Sequence, residues 1–198
     1  EAARILVVCT GNICRSPFIE RLLQRRLDER WPTTGRGGSD STILVRSAGT
    51  GAVTGWPMDE RAAAQLVAYG GDPAGFSARD LTRALIAESD VILTATRAHR
   101  GQVAAMDPKA LRRVFTFRDF ADLVAGIDGL SNRVRRADPR AWVRQVTEEA
   151  AAGRGLKPPL DPAHADIVDP YGREDEVFAV MARQVAGSMP AVVRALAG

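Results

Sequence analysis

The chain has 198 residues, of which 45% are hydrophobic, so it can build one domain with its own core and needs no disulfide bonds. Its net charge of +3 is small, and no basic run is interleaved with aromatic residues, so we do not expect it to bind nucleic acid. No apolar run is long enough to span a membrane, and no signal peptide opens the sequence, which starts at Glu1. Two cysteines do not make a secreted disulfide scaffold, so we expect a cytoplasmic protein.

Short apolar runs that are rich in β-branched residues predict strands, and these runs alternate with helical patterns. The predicted strands cover residues 5–8, 43–45, 91–93 and 114–117. The predicted helices cover about residues 17–30, 58–69, 97–106 and 177–196. Such alternation is typical of right-handed crossovers between parallel strands, so the sequence predicts an α/β fold whose parallel sheet carries helices on both faces.

The segment that joins the first strand to the first helix combines a thiol with a loop suited to anions. It reads Cys9-Thr10-Gly11-Asn12-Ile13-Cys14-Arg15-Ser16-Pro17. Ser16 and Pro17 predict the N-cap and the first residue of the helix, so its unpaired amides and positive dipole end would face the loop. We expect the loop amides to surround one tetrahedral oxyanion, with Gly11 and Asn12 best able to supply positive φ angles.

Cys9 and Arg15 are the expected chemical groups of this loop. The Arg15 guanidinium would offer two donors to two oxygens of the anion, a geometry that lysine does not provide. The loop amides and the Ser16 hydroxyl would hold Cys9 as a thiolate, the nucleophilic form of the side chain. A free cysteine is usually a small buried apolar residue, but the whole string, placed between a strand and a helix, favours phosphate ester chemistry.

This loop resembles the P-loop of the low-molecular-weight protein tyrosine phosphatase family, bacterial type, which reads C-x-G-N-x-C-R-S-P. Similar segments follow in the family order and cover most of the chain: Ser47-Ala48-Gly49-Thr50, Asp59-Glu60-Arg61-Ala62, Phe76-Ser77-Ala78-Arg79, Ser89-Asp90 and Asp169-Pro170-Tyr171-Gly172. The resemblance implies a four-stranded sheet in the flavodoxin-like order 2-1-3-4. Strand one would then deliver Cys9 to the switch point of the sheet, where ligands bind.

The resemblance also implies a set of site residues. Asp169 would be the general acid that protonates the departing phenolate and then the base that activates water. Ile13 and Tyr171 would form walls around the substrate ring, and Ser16 and Ser47 would support the loop. The phosphate-binding residues would be Thr10, Gly11, Asn12, Ile13, Cys14 and Arg15. No cofactor and no metal are expected, because two histidines and two cysteines give no convincing ligand set.

The implied activity is that of a protein tyrosine phosphatase that forms a cysteinyl-phosphate, acting on a phosphotyrosine-containing protein or a small aryl phosphate. Ile13 supports this choice, because isoleucine suits an apolar phenyl ring. In the related protein-arginine phosphatases this loop position resembles threonine, whose hydroxyl suits a polar phosphoguanidinium group. An arginine phosphatase is therefore one alternative. A thiol-dependent arsenate reductase is another, although the chain lacks the further cysteine pair of an internal disulfide relay. A non-catalytic phosphate-binding module is the alternative from a different class.

We expect a single phosphatase domain over residues 1–198 with two extra segments. Residues 33–41 are rich in Gly, Thr and Ser and predict a flexible surface loop. The stretch from about 126 to 165 is a predicted insertion, whose helical pattern begins at Asp138-Pro139 and carries Trp142, Val143 and Val146. We expect a surface helix followed by a linker. The alternative is an insertion that packs beside the acid loop and narrows access to the site.

Four further residues have more than one compatible role. Cys14 could trap an oxidised Cys9 as a disulfide, or it could simply pack in the core. Trp56 could form a second wall of the site, or it could be a rim or core residue. Asp90 could help to brace the loop, or it could simply end a helix, and His99 is expected on a helix surface rather than in the site.

Overall fold

The computed structural model describes residues 2–30, 43–127 and 138–197. Its strands are β1 (Ala3–Cys9), β2 (Ile43–Gly49), β3 (Val91–Thr94) and β4 (Val114–Thr116). Within the described residues they form one parallel four-stranded sheet in the order β2-β1-β3-β4, which confirms the predicted fold class and strand order. The predicted surface loop at 33–41 lies outside the described residues.

Helices pack on both faces of this sheet, as predicted. They are α1 (Arg15–Arg30), α2 (Glu60–Ala68), α3 (Arg83–Glu88), α4 (Arg97–Met106), α5 (Phe117–Val124), α6 (Pro139–Gly153), α7 (Pro162–Ala165) and α8 (Asp175–Ala197), with a 3-10 turn at Pro108–Arg112. Ile5 and Val7 of β1 join a core with α1, α5, α6 and α8, whereas Leu6 and Val8 join a second core with α3 and α4. β1 supplies both cores because side chains alternate along a strand. Among the described helices, none combines the length and apolarity that crossing a membrane would require.

The differences from the predicted elements include two boundaries and one helix that was not predicted. β4 ends at Thr116, whose hydroxyl accepts a hydrogen bond from Asp119 N at 3.0 Å and caps α5, so Phe117 begins a helix and does not extend the strand. α1 begins at Arg15, two residues earlier than predicted, and Ser16 lies inside it. The sequence pattern does not predict α3, because its six residues are too few to show a helical period.

The helix of the predicted insertion, α6, packs into the core, so the expectation of a surface helix is wrong for its inner face. Trp142, Val143 and Val146 are buried there. The Trp142 indole Nε1 donates to the carbonyl oxygens of Ala195 and Leu196 at 3.0 and 3.1 Å. α6 also contacts β1, β3 and α5, so it completes the face of the sheet that α8 covers.

A buried carboxylate attaches the start of α6 to the sheet. The Asp90 side chain is 1% exposed and accepts hydrogen bonds from Arg4 N at 2.9 Å, Arg140 Nε at 3.0 Å and Arg144 Nε at 2.7 Å. Asp90 therefore joins β1, β3 and α6, which is more than the helix-ending role considered for it. Because β1 and β3 are parallel, this junction lies at the opposite end of the sheet from Cys9.

The segment after α6 covers the outer edge of β4 and then reaches the loop that contains Asp169. Arg154 lies over the Phe115 ring, 3.9 Å from its centroid, and donates to Leu111 O at 2.7 Å and to Val114 O. This contact satisfies and shields an edge strand. Arg97 of α4 then pairs with Asp166 at 3.1 Å. The expectation that the insertion narrows access to the site stays a prediction.

Candidate active site

The phosphate loop, residues 10–14, joins the end of β1 to the start of α1. Its carbonyl oxygens accept hydrogen bonds from the segment that follows β2: Thr50 N to Cys9 O at 2.9 Å, Gly51 N to Thr10 O at 3.1 Å, Val53 N to Gly11 O at 3.0 Å and Asp59 N to Ile13 O at 2.8 Å. Gly49 allows this close approach, because a Cβ atom there would clash with Thr10 O. These carbonyl oxygens are therefore bonded to main-chain amides of the protein.

Asn12 organises the loop from behind. Its φ of 55° is the left-handed conformation expected of it, whereas Gly11, contrary to expectation, does not have a positive φ. The Asn12 amide Nδ2 donates to Ser16 Oγ and to Ser47 Oγ, each at 2.8 Å, and its Oδ1 accepts from Arg79 N at 2.9 Å. One buried side chain thus connects the loop, α1, β2 and the segment before α3.

These bonds determine how the Ser16 hydroxyl is used. Ser16 Oγ lies 2.9 Å from Cys9 Sγ. Because Ser16 Oγ accepts a hydrogen bond from Asn12 Nδ2, its own hydrogen is available for the sulfur, which is the direction that a Cys9 thiolate would require. Ser16 is not the N-cap predicted from the sequence. It lies in the first turn of α1, where its hydroxyl is within hydrogen-bond distance of Cys9 Sγ.

A buried acid ends the same network and was not among the predicted site residues. Ser47 Oγ donates to Glu20 Oε2 at 2.5 Å, and Arg21 Nε lies 3.5 Å from the other carboxylate oxygen. Burial raises the pKa of Glu20, and the Ser47 hydrogen bond opposes that shift. Glu20 lies one turn after Ser16 on α1, a spacing that makes it a candidate only once the helix start at Arg15 is known.

The buried guanidinium of Arg15 meets the carboxylate of Asp169. Arg15 NH2 lies 3.0 Å from Asp169 Oδ2, and Arg15 NH1 donates to Ile167 O at 3.5 Å. The Asp169 side chain is 55% exposed, so it contacts both the arginine and the solvent. The two residues are 154 positions apart in the chain, and the structure brings them together as the sequence analysis expects.

The acid loop, residues 167–173, is held from three directions. Ile167 N donates to Ala95 O at 2.9 Å, and Val168 N donates to Gln184 Oε1 of α8 at 2.9 Å. Arg61 of α2 donates to Arg173 O at 2.6 Å, and its guanidinium lies 4.3 Å from the centroid of the Phe178 ring. These contacts hold the acid loop next to the phosphate loop.

A cavity of about 210 Å³ opens between the two loops. It is lined by Cys9, Thr10, Gly11, Ile13, Cys14, Arg15, Gly51, Val53, Asp169 and Tyr171. The three predicted catalytic residues and both predicted walls are in this set. Trp56, which was considered for a second aromatic wall, is exposed and is not a lining residue. Val53 of the same segment lines the cavity instead. Asn12, Ser16 and Ser47 lie behind the lining and support it.

Two further predictions concern Cys14 and His99. Cys14 is a buried free thiol, and burial together with the nearby acidic groups raises its pKa to about 12. His99 is not on a helix surface as expected. It is buried, and its Nε2 lies 2.8 Å from Thr10 Oγ1 of the phosphate loop. No local pattern in the sequence distinguishes this histidine, because its partner is 89 residues away.

Comparison with known proteins places this site in a family. Residues 4–129 match the family model "Low molecular weight phosphotyrosine protein phosphatase". The Ralstonia solanacearum protein named "Probable low molecular weight protein-tyrosine-phosphatase EpsP" is 35% identical over 152 residues, which are 72% of this chain and 94% of that protein. The low molecular weight protein-tyrosine-phosphatase Etp of Escherichia coli K12 is 36% identical over 113 residues, 57% of this chain and 68% of Etp.

Solved structures have the same fold. The tyrosine phosphatase AmsI of Erwinia amylovora has a TM-score of 0.66 at 24% identity, with 98% of this chain and 93% of that chain covered. The arginine phosphatase YwlE of Geobacillus stearothermophilus has a TM-score of 0.65 at 24% identity, with 97% and 91% covered. The match to the family model ends at residue 129, and Asp169, which lies beyond it, is linked to the site by its contact with Arg15. The chain belongs to the low molecular weight phosphotyrosine protein phosphatase family.

Proposed function

We propose that this chain is a protein tyrosine phosphatase that hydrolyses phosphotyrosine through a cysteinyl-phosphate. The observation that carries the proposal is the convergence of a thiol, a guanidinium and a carboxyl group on one cavity. Cys9 receives a hydrogen bond from Ser16, and Arg15 lies 3.0 Å from Asp169 on the opposite loop. Nucleophile, anion clamp and acid are the three groups that phosphate ester cleavage requires.

In the first step the Cys9 thiolate attacks phosphorus, and the bond between phosphorus and the phenolic oxygen breaks. Arg15 and the amides of residues 10–15 hold the three non-bridging oxygens, whose negative charge replaces Asp169 as a partner of the guanidinium. Asp169 transfers its proton to the departing phenolate, which would otherwise be a poor leaving group with a pKa near 10. The products are tyrosine and phosphorylated Cys9.

In the second step a water molecule attacks the same phosphorus atom. The Asp169 carboxylate accepts a proton from this water, the sulfur–phosphorus bond breaks, and inorganic phosphate leaves. Cys9 departs as a thiolate, and the Ser16 hydroxyl stabilises it because its hydrogen is directed to the sulfur. The enzyme returns to its starting protonation state without a cofactor.

The walls of the cavity favour an aromatic substrate. Ile13 and Val53 are apolar, and Tyr171 offers a ring at the mouth of the cavity. We infer that a phenyl ring lies between them while its phosphate occupies the loop. A phosphoguanidinium group would instead need polar partners, which Ile13 and Val53 do not supply, so phosphotyrosine is preferred to phosphoarginine. The expected partners are therefore phosphotyrosine-containing proteins or small aryl phosphates.

Several further assignments belong to the same proposal. Thr10, Gly11, Asn12, Ile13 and Cys14 would contribute to phosphate binding. The chain would act as a single domain in which 126–165 is an insertion that stabilises the sheet at one end and borders the acid loop at the other. A thiolate nucleophile needs reducing conditions, which favours the cytoplasm as its location.

The proposal is tested with purified protein and matched substrates. We expect vanadate-sensitive release of phosphate from p-nitrophenyl phosphate and from a phosphotyrosyl peptide, and much slower release from a phosphoarginyl peptide of the same sequence. Cys9→Ser should abolish turnover but still bind phosphate. Dominant turnover of phosphoarginine would overturn the substrate assignment. Arsenate-dependent consumption of thiols would indicate a reductase, and phosphate binding without any turnover would indicate a binding module.

A further inference from the structure

His99 connects α4 to the phosphate loop through both of its ring nitrogens. Nε2 lies 2.8 Å from Thr10 Oγ1, and Nδ1 lies 2.8 Å from Thr96 Oγ1. The residue is only 5% exposed. Neither step of the proposed reaction uses this ring. A buried side chain with both polar atoms bonded restrains the groups that it contacts. For His99 these groups are the hydroxyls of Thr10 and Thr96.

The surroundings of His99 suit a neutral ring. Each nitrogen faces a hydroxyl group, which can donate or accept, so one nitrogen donates and the other accepts. The charged groups that act on the ring are Arg15, Asp169 and Asp166. Burial and the positive charge of Arg15 lower the pKa of His99 to about 4. This lowered pKa favours a neutral ring near pH 7, which fits a positioning role better than proton transfer.

The turn before α4 supports both loops of the site. Ala95 N donates to Val8 O of β1 at 2.8 Å, and Ala95 O accepts from Ile167 N of the acid loop at 2.9 Å. Thr96 caps α4 by accepting from His99 N at 3.3 Å. His99, at the start of α4, therefore lies next to a turn that contacts both β1 and the acid loop.

Thr10 is tied from two sides. Its carbonyl oxygen is bonded to Gly51, which follows β2, and β2 lies on one side of β1. Its side chain is bonded to His99 of α4, which follows β3 on the other side of β1. Thr10 is also the residue directly after Cys9. The His99 bond thus determines how the first residue of the phosphate loop sits relative to the acid loop.

We propose that His99 is a positioning residue that, through Thr10, sets the placement of the Cys9 sulfur relative to Asp169. This inference rests on the proposed phosphatase function. His99 does not line the cavity, yet its loss should slow the chemical steps. Small displacements of reacting groups are costly, because productive attack requires a narrow range of distance and direction.

Kinetics of a double-mutant cycle test this role. His99→Ala and Thr10→Val should each lower kcat about 100-fold, and the double variant should be no slower than either single variant, because each removes the same contact. KM should change much less than kcat, since Arg15 still binds the phosphate. Thr10→Ser, which keeps the hydroxyl, should recover most of the activity that Thr10→Val loses.

His164, the other histidine of the chain, gives the matched control. It is exposed and pairs with Asp161, so His164→Ala should keep the wild-type kcat. If the wild type is active, two results would overturn the inference: additive effects of His99→Ala and Thr10→Val, or single variants with the wild-type kcat. Either result would leave the proposed function standing. A wild-type protein without any phosphatase activity would instead refute the proposed function.

Two readouts separate positioning from a general loss of structure. The acidic limb of the pH profile of kcat/KM should be the same in the wild type and His99→Gln, and a displaced limb would mean that His99 exchanges protons in the reaction. In the His164→Ala background the remaining histidine can be observed alone by nitrogen NMR. Thr10→Val should shift the Nε2 resonance and spare Nδ1, and unchanged resonances would refute the contact.

Discussion

Replacement of Asp90 by alanine should destabilise the fold and spare the chemistry. The Asp90 carboxylate is buried and accepts three hydrogen bonds, from the main chain of β1 at Arg4 and from Arg140 and Arg144 of α6. It lies at the end of the sheet opposite to Cys9. The variant therefore tests whether the insertion helix belongs to the core.

The expected loss follows from the exposure of the three donors. The main-chain bond of Arg4 to a charged acceptor contributes about 1.5–3 kcal/mol. The Arg144 side chain is 56% exposed, so solvent screens that pair and it contributes less than about 1 kcal/mol. With the better buried Arg140 pair between these limits, we expect Asp90→Ala to lower the free energy of unfolding by about 3 kcal/mol.

Urea unfolding measures this loss, and turnover of p-nitrophenyl phosphate measures kcat. Glu88→Ala is the control, because Glu88 pairs with the Arg4 side chain on the exposed surface nearby and should contribute less than about 1 kcal/mol. Below the unfolding transition both variants should keep the wild-type kcat. An Asp90→Ala protein as stable as the wild type would refute the assigned role of Asp90, and so would a folded variant with a reduced kcat.

Three further predictions concern stability and thiol reactivity. The pKa of His99 is lowered from its usual 6.5 to about 4, so its neutral ring stabilises the fold above pH 6.5 and that contribution is lost as the pH falls through 4. The unfolding free energy of the wild type should therefore fall relative to His99→Gln by about 3 kcal/mol between pH 7 and 4, and a constant difference would contradict this. Iodoacetamide at pH 7.5 should modify Cys9 and not Cys14, whose pKa is about 12, as mass spectrometry of a digest will show. Asn12→Gly should be more stable than Asn12→Ala by about 1 kcal/mol in thermal unfolding, because only glycine adopts the φ of 55° without strain. Equal melting temperatures would show that this strain is absent.

The sequence predicts the sheet well because its signals are local. Each strand is a continuous apolar run and each long helix shows an amphipathic period, so element type and order follow from the pattern. The boundary at Phe117 is wrong because the apolar run continues from β4 into α5 without a break in composition. Only the Thr116 hydroxyl, bonded to Asp119 N, marks the change from strand to helix.

The site is predicted as far as its motifs extend. Cys9 and Arg15 share one short segment, and Asp169 is identified through a second motif of the family. His99 and Glu20 are missed because their roles depend on contacts with Thr10 and Ser47, which are distant in sequence. A titratable residue in a helix pattern gives no sign of which partner the fold will bring to it.

The contact of Asp90 with α6 is missed for a similar reason. The sequence shows an acidic residue before a strand and two arginines in an insertion, and each is common on protein surfaces. Their pairing becomes visible only when the sheet order and the position of α6 are known. The sequence pattern of this protein therefore does not reveal its long-range polar contacts.

The central claim is that Cys9 becomes covalently phosphorylated during turnover. Asp169→Ala removes the base that activates water in the second step and also the acid of the first step, so the intermediate should accumulate only with a substrate whose phenolate leaves without protonation. Rapid acid quenching with p-nitrophenyl phosphate, whose nitrophenolate is such a leaving group, followed by mass spectrometry of a digest, should find one phosphoryl group on the peptide that contains Cys9. Release of phosphate without any phosphoryl group on Cys9 would contradict the mechanism.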